Sequence, residues 1–333
     1  MGRALVISEI GKPVALEDRP LLRPAADEVV VDLRAAALNH RDIWILQGAY
    51  PGIQLPVVPG SDGAGAVAAR GDSVRSLDLD REVIINPSFD WGDSEAHQGK
   101  KFSILGMPRD GTFAEQIVVP ASQIAPKPEH LDWNEAAALP LAGLTAYRAL
   151  FSRAKATPGD RILVTGIGGG VALFALQYAV ALGAHVYVTS SSEEKRSRAL
   201  ELGAQAAYDY TDPDWPAELK QATGGIDIAI DGAGGATYAN LIELAAPGAR
   251  IVNYGATAGL PEAINLRSLF FKQLNLLGST MGSPSDFSAM VAFVAKHQIH
   301  PIVDQIFPLE HGAAAMQRMH AGEQFGKIVL TCA

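Results

Sequence analysis

From Arg161 onward, short β-branched runs alternate with helix-like apolar patterns at intervals of roughly 20 to 25 residues, the rhythm of βαβ units. Strands are predicted at "RILVTG", "AHVYVTS", "AAYDY", "IDIAIDGA", "ARIVNYG" and "NLLGSTMG". Helices are predicted to start near Gly170, Ser192, Asp214, Ala236, Leu266 and Pro284, with Glu193 and Glu194 in the first turn after Ser192 favouring the helix dipole. The stretch "VALFALQYAVAL" is apolar almost all round, so it should lie buried against a sheet. Together these features predict an α/β fold with a doubly wound, parallel, six-stranded sheet.

Before about residue 125 the texture is different. "EVVVDLRAAAL", "DGAGAVAA" and "EVIINP" read as short strands divided by Gly, Pro and Asp, so this half should be mostly β. Residues Phe89 to Arg109 are polar and Gly-rich enough to form a long excursion. After His297, "IVDQIFP", "HGAAAMQRMHAG" and "GKIVLT" leave the βαβ rhythm and should return to the first domain. A length of 333 residues supports two domains.

Bulk composition narrows the partners. With 48% hydrophobic and 19% charged residues the chain can bury large cores, while a formal net charge of −9 argues against a grip on nucleic-acid phosphates. The sole cysteine, Cys332, excludes an intrachain disulfide and any one-chain thiolate metal cluster, which fits a reducing cytoplasm. "MGRALVISEIGKP" lacks the basic start and apolar core of a signal peptide, and no stretch is long and apolar enough to span a bilayer.

The chemistry starts at "RILVTGIGGGVALFALQ". A glycine-rich turn after a buried strand lets backbone approach a pyrophosphate, whose charge the next helix's free N–H groups stabilise. Gly166, Gly168, Gly169 and Gly170 supply that turn; Val171 stands at the third fingerprint position and small Ala172 follows. An acidic residue at the end of the second strand would select NAD, but Ser190 stands there, and Ser190, Ser191, Ser192, Lys195 and Arg196 can donate to a 2′-phosphate, favouring NADP(H). The turns Gly232-Ala233 and Gly255-Ala256 follow the fourth and fifth strands, where open sheets place ligands.

With "ALNHRDIWILQGAYP", "LPVVPGSDGAGAV", "DGTFAEQIVVP", "EAAALPLAGLTAYRAL" and "GKIVLT" in series, the chain resembles the medium-chain dehydrogenase/reductase superfamily, in its zinc-free quinone-oxidoreductase-like branch. The resemblance runs nearly end to end. It implies a split GroES-like catalytic domain, 1–124 and 297–333, and a Rossmann domain, 125–296. It further implies NADPH, a homodimer or homotetramer, and a quinone or α,β-unsaturated carbonyl as hydride acceptor.

Aligned on those motifs, the zinc-ligand positions of the alcohol dehydrogenase relatives fall on Asn39, Ser61 and near Leu141, none a good zinc ligand. No metal is expected, and hydrogen-bond donors would replace it. The resemblance places Asn39 near the nicotinamide, making it the leading catalytic candidate. Tyr50, at the "G-x-Y-P" position, could line the substrate site or give a proton. Thr145 matches the residue lying against the nicotinamide ring. Lys327 either reaches the cofactor phosphate or sits on the rim. Asp42 should order local backbone with Arg41 as its partner, and His40 should be structural. His297 and His300 lack an evident acidic partner. Two alternatives stay open: an alcohol dehydrogenase with atypical zinc ligands, and a non-catalytic NADPH-binding redox sensor.

Overall fold

The computed structural model describes residues 2–332. In chain order its elements begin with β1 (Gly2–Val6), β2 (Ala15–Arg19), β3 (Glu28–Ala37), α1 (His40–Leu46), β4 (Asp62–Arg70), β5 (Glu82–Ile85), β6 (Ser88–Phe89), β7 (Ser103–Ile104), β8 (Gln116–Pro120) and β9 (Ile124–Pro126). They continue through α2 (Trp133–Ala138), α3 (Pro140–Tyr147), β10 (Arg161–Val164), α4 (Gly170–Leu182), β11 (His185–Thr189), α5 (Glu193–Glu201), β12 (Ala206–Tyr208) and α6 (Trp215–Thr223). The last are β13 (Ile226–Asp231), α7 (Tyr238–Leu244), β14 (Ala245–Asn253), α8 (Leu266–Phe271), β15 (Asn275–Gly278), α9 (Pro284–His297), β16 (Val303–Pro308), α10 (Gly312–Ala321) and β17 (Lys327–Thr331). Two compact units result: Met1–Ala142 with Gly282–Ala333, and Gly143–Met281.

The first unit is built on a sheet ordered β16-β17-β3-β4-β5-β9, with β8 also pairing β3. Val29, Val31 and Leu33 are buried on one face of β3, against Val67, Phe113 and Ile117 in the same core. Each such aliphatic burial contributes about 1.5–3 kcal/mol. At its far end β3 runs antiparallel to both neighbours, with Ala37 opposite Asp62 of β4 and Val329 of β17. That register decides where the functional side chains meet.

These bounds differ from the expected 1–124, 125–296 and 297–333. Two helices account for it. The alanine-rich α2 packs on β3, β4 and β17, with Ala136, Ala137 and Ala138 fully buried. The start of α9 is held within the first unit, because Ser88 Oγ donates to Gly282 O at 2.7 Å and the N-cap Ser283 donates to Glu95 Oε2 at 2.6 Å. Neither contact has a signature in hydrophobic period. The polar excursion is likewise more than a solvated loop, since Trp91 is buried, stacks edge-on with Phe102 and donates to Ser94 O.

The second unit is the expected doubly wound sheet, all parallel, in the order β12-β11-β10-β13-β14-β15. All six predicted strands form, and five of the six helices start at or one residue after the predicted position; α7 starts two residues late. α4 is buried as its apolar sequence requires and ends at Gly183, whose φ of 87° suits glycine alone. The order reverses between β10 and β13, the switch point at which such sheets bind ligands.

Candidate active site

In the second unit the loop after β10 has the geometry of a phosphate cradle. Gly166 and Gly168 take φ of 64° and 131°, and a Cβ on Gly166 or Gly169 would meet no other group within 4 Å. Gly169 is the N-cap of α4 and offers no side-chain cap, so Gly170 and Val171 open a helix whose first N–H groups face no competing side chain. Lys195 crosses this loop: a Cβ on Gly168 would lie 2.9 Å from its Cδ. The structure thus brings together the loop and one of the five predicted phosphate donors.

The other donors are arranged differently from the expectation. Ser190 is buried and its Oγ accepts from Ser192 N at 3.2 Å, while Ser192 caps α5. Arg196 donates through Nη1 to Ser190 O at 2.7 Å and to Asp209 Oδ2 at 2.9 Å. The exposed hydroxyl is that of Ser191, 3.1 Å from the hydroxyl of Tyr210. Tyr210 was not anticipated, because it lies beyond the next strand.

Asp231 at the end of β13 was also missed. It accepts from Thr165 Oγ1 at 2.6 Å, Gly234 N at 3.0 Å and Asn253 Nδ2 at 2.8 Å, tying together the ends of β10, β13 and β14. It thereby shapes the turns holding Gly232, Ala233, Gly255 and Ala256. A Cβ on Gly232 would strike the ring of Tyr254 at 2.5 Å, so that turn needs glycine. Thr145 is buried, with its hydroxyl 3.9 Å from Met281 Sδ.

In the first unit, β3 ends at Ala37 and α1 begins at His40, leaving Asn39 at the junction as N-cap. β4 enters on one side at Asp62 and β17 on the other at Lys327. The three side chains meet: Lys327 Nζ donates to Asn39 Oδ1 at 2.7 Å, Asp62 Oδ2 at 2.8 Å and Leu38 O at 2.6 Å. Asn39 Nδ2 donates to Asp62 Oδ2 at 2.9 Å, and Leu141 N donates to Asp62 Oδ1 at 2.7 Å. Asp62 is 0% exposed, Lys327 3% and Asn39 7%. Lys327 therefore neither sits on a rim nor keeps a hydrogen for a phosphate, since an ammonium has three donors and all are used here.

The surrounding residues settle several smaller points. Arg41 donates to Ser61 Oγ at 2.8 Å and Leu105 O at 2.7 Å, rather than to Asp42. Asp42 accepts from Asn39 N at 2.8 Å through Oδ2, ordering the backbone, but its Oδ1 has no hydrogen-bond partner. Burial pushes its carboxyl up to about 6, against the opposing pull of Arg41. Part of His40 is exposed, yet burial of the rest and the Lys327 charge lower its pKa. The Tyr50 ring is half-buried, 5.0 Å from the Arg41 guanidinium carbon. His300, exposed past the end of α9, does have an acidic partner, Glu135 at 2.8 Å.

The zinc-ligand positions do not fit a zinc ion. Both polar ends of the Asn39 amide and the Ser61 hydroxyl are engaged in protein hydrogen bonds, and Leu141 contributes only a backbone N–H. A fixed ammonium 2.8 Å from the Asp62 carboxylate repels a second cation there. Among the described residues no three His, Cys, Asp or Glu side chains gather so as to hold a metal. The glycine loop, by contrast, fits a dinucleotide.

Comparison with known proteins extends these observations. An alcohol dehydrogenase GroES-like domain model matches residues 25–129 and a zinc-binding dehydrogenase model matches residues 170–296. A zinc-type alcohol dehydrogenase-like protein, YogA, of Leptosphaeria maculans is 37% identical over 331 residues, covering 92% of this chain and 91% of the relative. The quinone oxidoreductase of Mus musculus is 29% identical over 343 residues, covering 98% and 97%. A crystal structure described as an NAD-dependent alcohol dehydrogenase matches with a TM-score of 0.94 at 38% identity, covering 99% of this chain and 100% of that one.

Proposed function

The chain belongs to the medium-chain dehydrogenase/reductase superfamily, and from that premise we propose that it is an NADPH-dependent, zinc-independent reductase of quinones or α,β-unsaturated carbonyls. One observation carries this reading: where a metal-dependent relative needs a ligand, Asn39 presents an amide fixed between Lys327 and Asp62. A conjugated carbonyl accepts hydride at carbon and spreads negative charge onto oxygen. A fixed N–H donor stabilises that charge without a Lewis acid.

The residues that would hold NADPH are Gly166, Gly168, Gly169, Gly170 and Val171 around the pyrophosphate, with Thr145, Gly232, Ala233, Gly255 and Ala256 along the remainder. Ser191, Lys195 and Tyr210 would take the 2′-phosphate, with Ser190 ordering that turn through its bond to Ser192. When bound, the cofactor supplies the hydride. Asn39 then stabilises the acceptor oxygen, and Tyr50 is the candidate proton source. Lys327 holds Asn39 and Asp62 rather than cofactor. A reading as a zinc alcohol dehydrogenase has the names of similar proteins in its favour, but not the donor set at residues 39, 61 and 141.

The test follows NADPH and NADH oxidation against a panel of naphthoquinones, enals and simple ketones, and NADP+ and NAD+ reduction with simple alcohols. NADPH-preferring reduction of the conjugated acceptors is expected. Turnover confined to alcohols and unconjugated ketones would overturn the proposal, and tight NADPH binding without turnover of any acceptor would favour a redox sensor.

A further inference from the structure

The buried cluster does more than fill space, because each of its charged members can act in one sense only. An ammonium donates and never accepts; a carboxylate accepts and, when ionised, never donates. Lys327 Nζ lies 2.7 Å from one end of the Asn39 amide and Asp62 Oδ2 lies 2.9 Å from the other. The first end must therefore be the carbonyl oxygen and the second the NH2 group. Turning the amide over would set two donors face to face and two acceptors face to face, in a place where neither Asp62 nor Lys327 has water to turn to. The amide orientation, ordinarily a matter of assignment, is fixed here by charge.

One hydrogen of Nδ2 is used by Asp62. The second is the one donor the amide has left, on a residue that keeps 7% of its surface accessible while its two partners are sealed at 0% and 3%. Lys327 also draws electron density toward Oδ1, which strengthens the remaining N–H as a donor. From this we infer that Lys327 and Asp62 are positioning residues that act through Asn39, locking its amide so that a single N–H is presented to the carbonyl oxygen of the hydride acceptor. The inference builds on the reductase reading and adds to it a mechanism for substrate polarisation. The two residues come from β17 and β4, 288 and 23 positions from Asn39, so the lock exists only once the flanking strands have paired with β3.

A double-mutant cycle tests it, using NADPH with 1,4-naphthoquinone. Asn39→Ala and Lys327→Met are each expected to lower kcat by roughly 10-fold or more, the loss of one charge-assisted hydrogen bond, with the Kd for NADPH unchanged within about twofold. In the Asn39→Ala background, Lys327→Met should cost less than about twofold more, because its effect passes through the absent amide. Multiplicative losses, or loss of NADPH affinity with kcat preserved, would overturn the inference. Lys327→Met leaves Asp62 buried without its counterion, so the neutral pair Asp62→Asn, Lys327→Met is measured beside it to separate misfolding from mispositioning.

A second readout needs no turnover. In protein carrying 15N-asparagine, the Asn39 Nδ2 proton bonded to Asp62 should be shifted downfield and exchange slowly with solvent, and should lose that shift and protection in Lys327→Met. Solvent exchange of that proton as fast as in an exposed asparagine, in the unmutated protein, would contradict the lock, whatever the substrate. Absence of activity toward every conjugated acceptor, with the NH2 signals as predicted, would sink the reductase reading and leave the lock standing.

Discussion

The glycine loop of the second unit and the buried cluster of the first place chemistry in opposite ways. The loop is made of backbone and contiguous in sequence: Gly166 and Gly169 leave open space, and Gly166 and Gly168 take left-handed conformations. The cluster is made of side chains from positions 39, 62 and 327, joined only by sheet register. A backbone site tolerates change in side chains but none in conformation. A side-chain site inverts that rule, since its backbone is ordinary strand and its chemistry vanishes with one charge.

The largest expected break comes from the loop. Gly168→Val forces a branched residue into φ of 131° and against Lys195, a strain of about 1–3 kcal/mol on the loop itself. Relieving it displaces the N–H groups, so NADPH affinity should fall by more than about 100-fold, close to 3 kcal/mol, while the melting temperature moves little. Titration of NADPH fluorescence checks this, and retained affinity would show that the loop does not grip the pyrophosphate.

Next in size is a stability effect at the edge of the cluster. The raised Asp42 pKa makes its folded form hold a proton that the unfolded chain has lost. Below about pH 4 both states are protonated and nothing is gained or lost; from pH 4 to 6 stability falls as pH rises, and above 6 the penalty reaches about 3 kcal/mol. Asp42→Asn keeps an acceptor for Asn39 N and removes the charge. Denaturant unfolding should therefore find the variant more stable by up to about 3 kcal/mol at pH 8 and equal to the parent near pH 4. A variant less stable at pH 8 would mean that Arg41 or an internal water compensates the carboxylate.

Cofactor choice sharpens the contrast between the sites. Lys195→Ala should raise the KM for NADPH by roughly 10-fold, the value of one charge-assisted bond, and leave that for NADH unchanged. Equal effects on both would move Lys195 from the 2′-phosphate to the pyrophosphate. The smallest expected effect is at Ser283→Ala, which removes the N-cap of α9 and a partner of Glu95. About 1 kcal/mol of stability should go, with kinetic constants unchanged.

Much of the second unit was legible because its signals are local. The strands of the parallel sheet are short, mostly apolar runs that alternate with helical patterns, so six strands and the position of α4 followed from period alone. Ser191 with Tyr210, and Asp231 with Thr165, were not legible, because hydrogen bonds between the ends of different strands leave no periodic trace. In the first unit Asn39 stood out only by resemblance; of its polar partners Lys327 was singled out, though for a different role, and Asp62 was not. Lys327 was expected to reach the cofactor phosphate or to sit on the rim; the pairing of β17 with β3 brings it to Asn39 instead. Ala136 to Ala138 fell within the span assigned to the Rossmann domain, since alanines allow close approach without naming the partner.

Metal content decides the central claim most directly. Protein purified without added zinc, analysed by mass spectrometry and assayed with NADPH and 1,4-naphthoquinone before and after dialysis against a chelator, should contain zinc far below one ion per chain and keep its activity in full. One zinc per chain, with activity abolished by the chelator and restored by zinc, would contradict the assignment of that role to Asn39, Asp62 and Lys327.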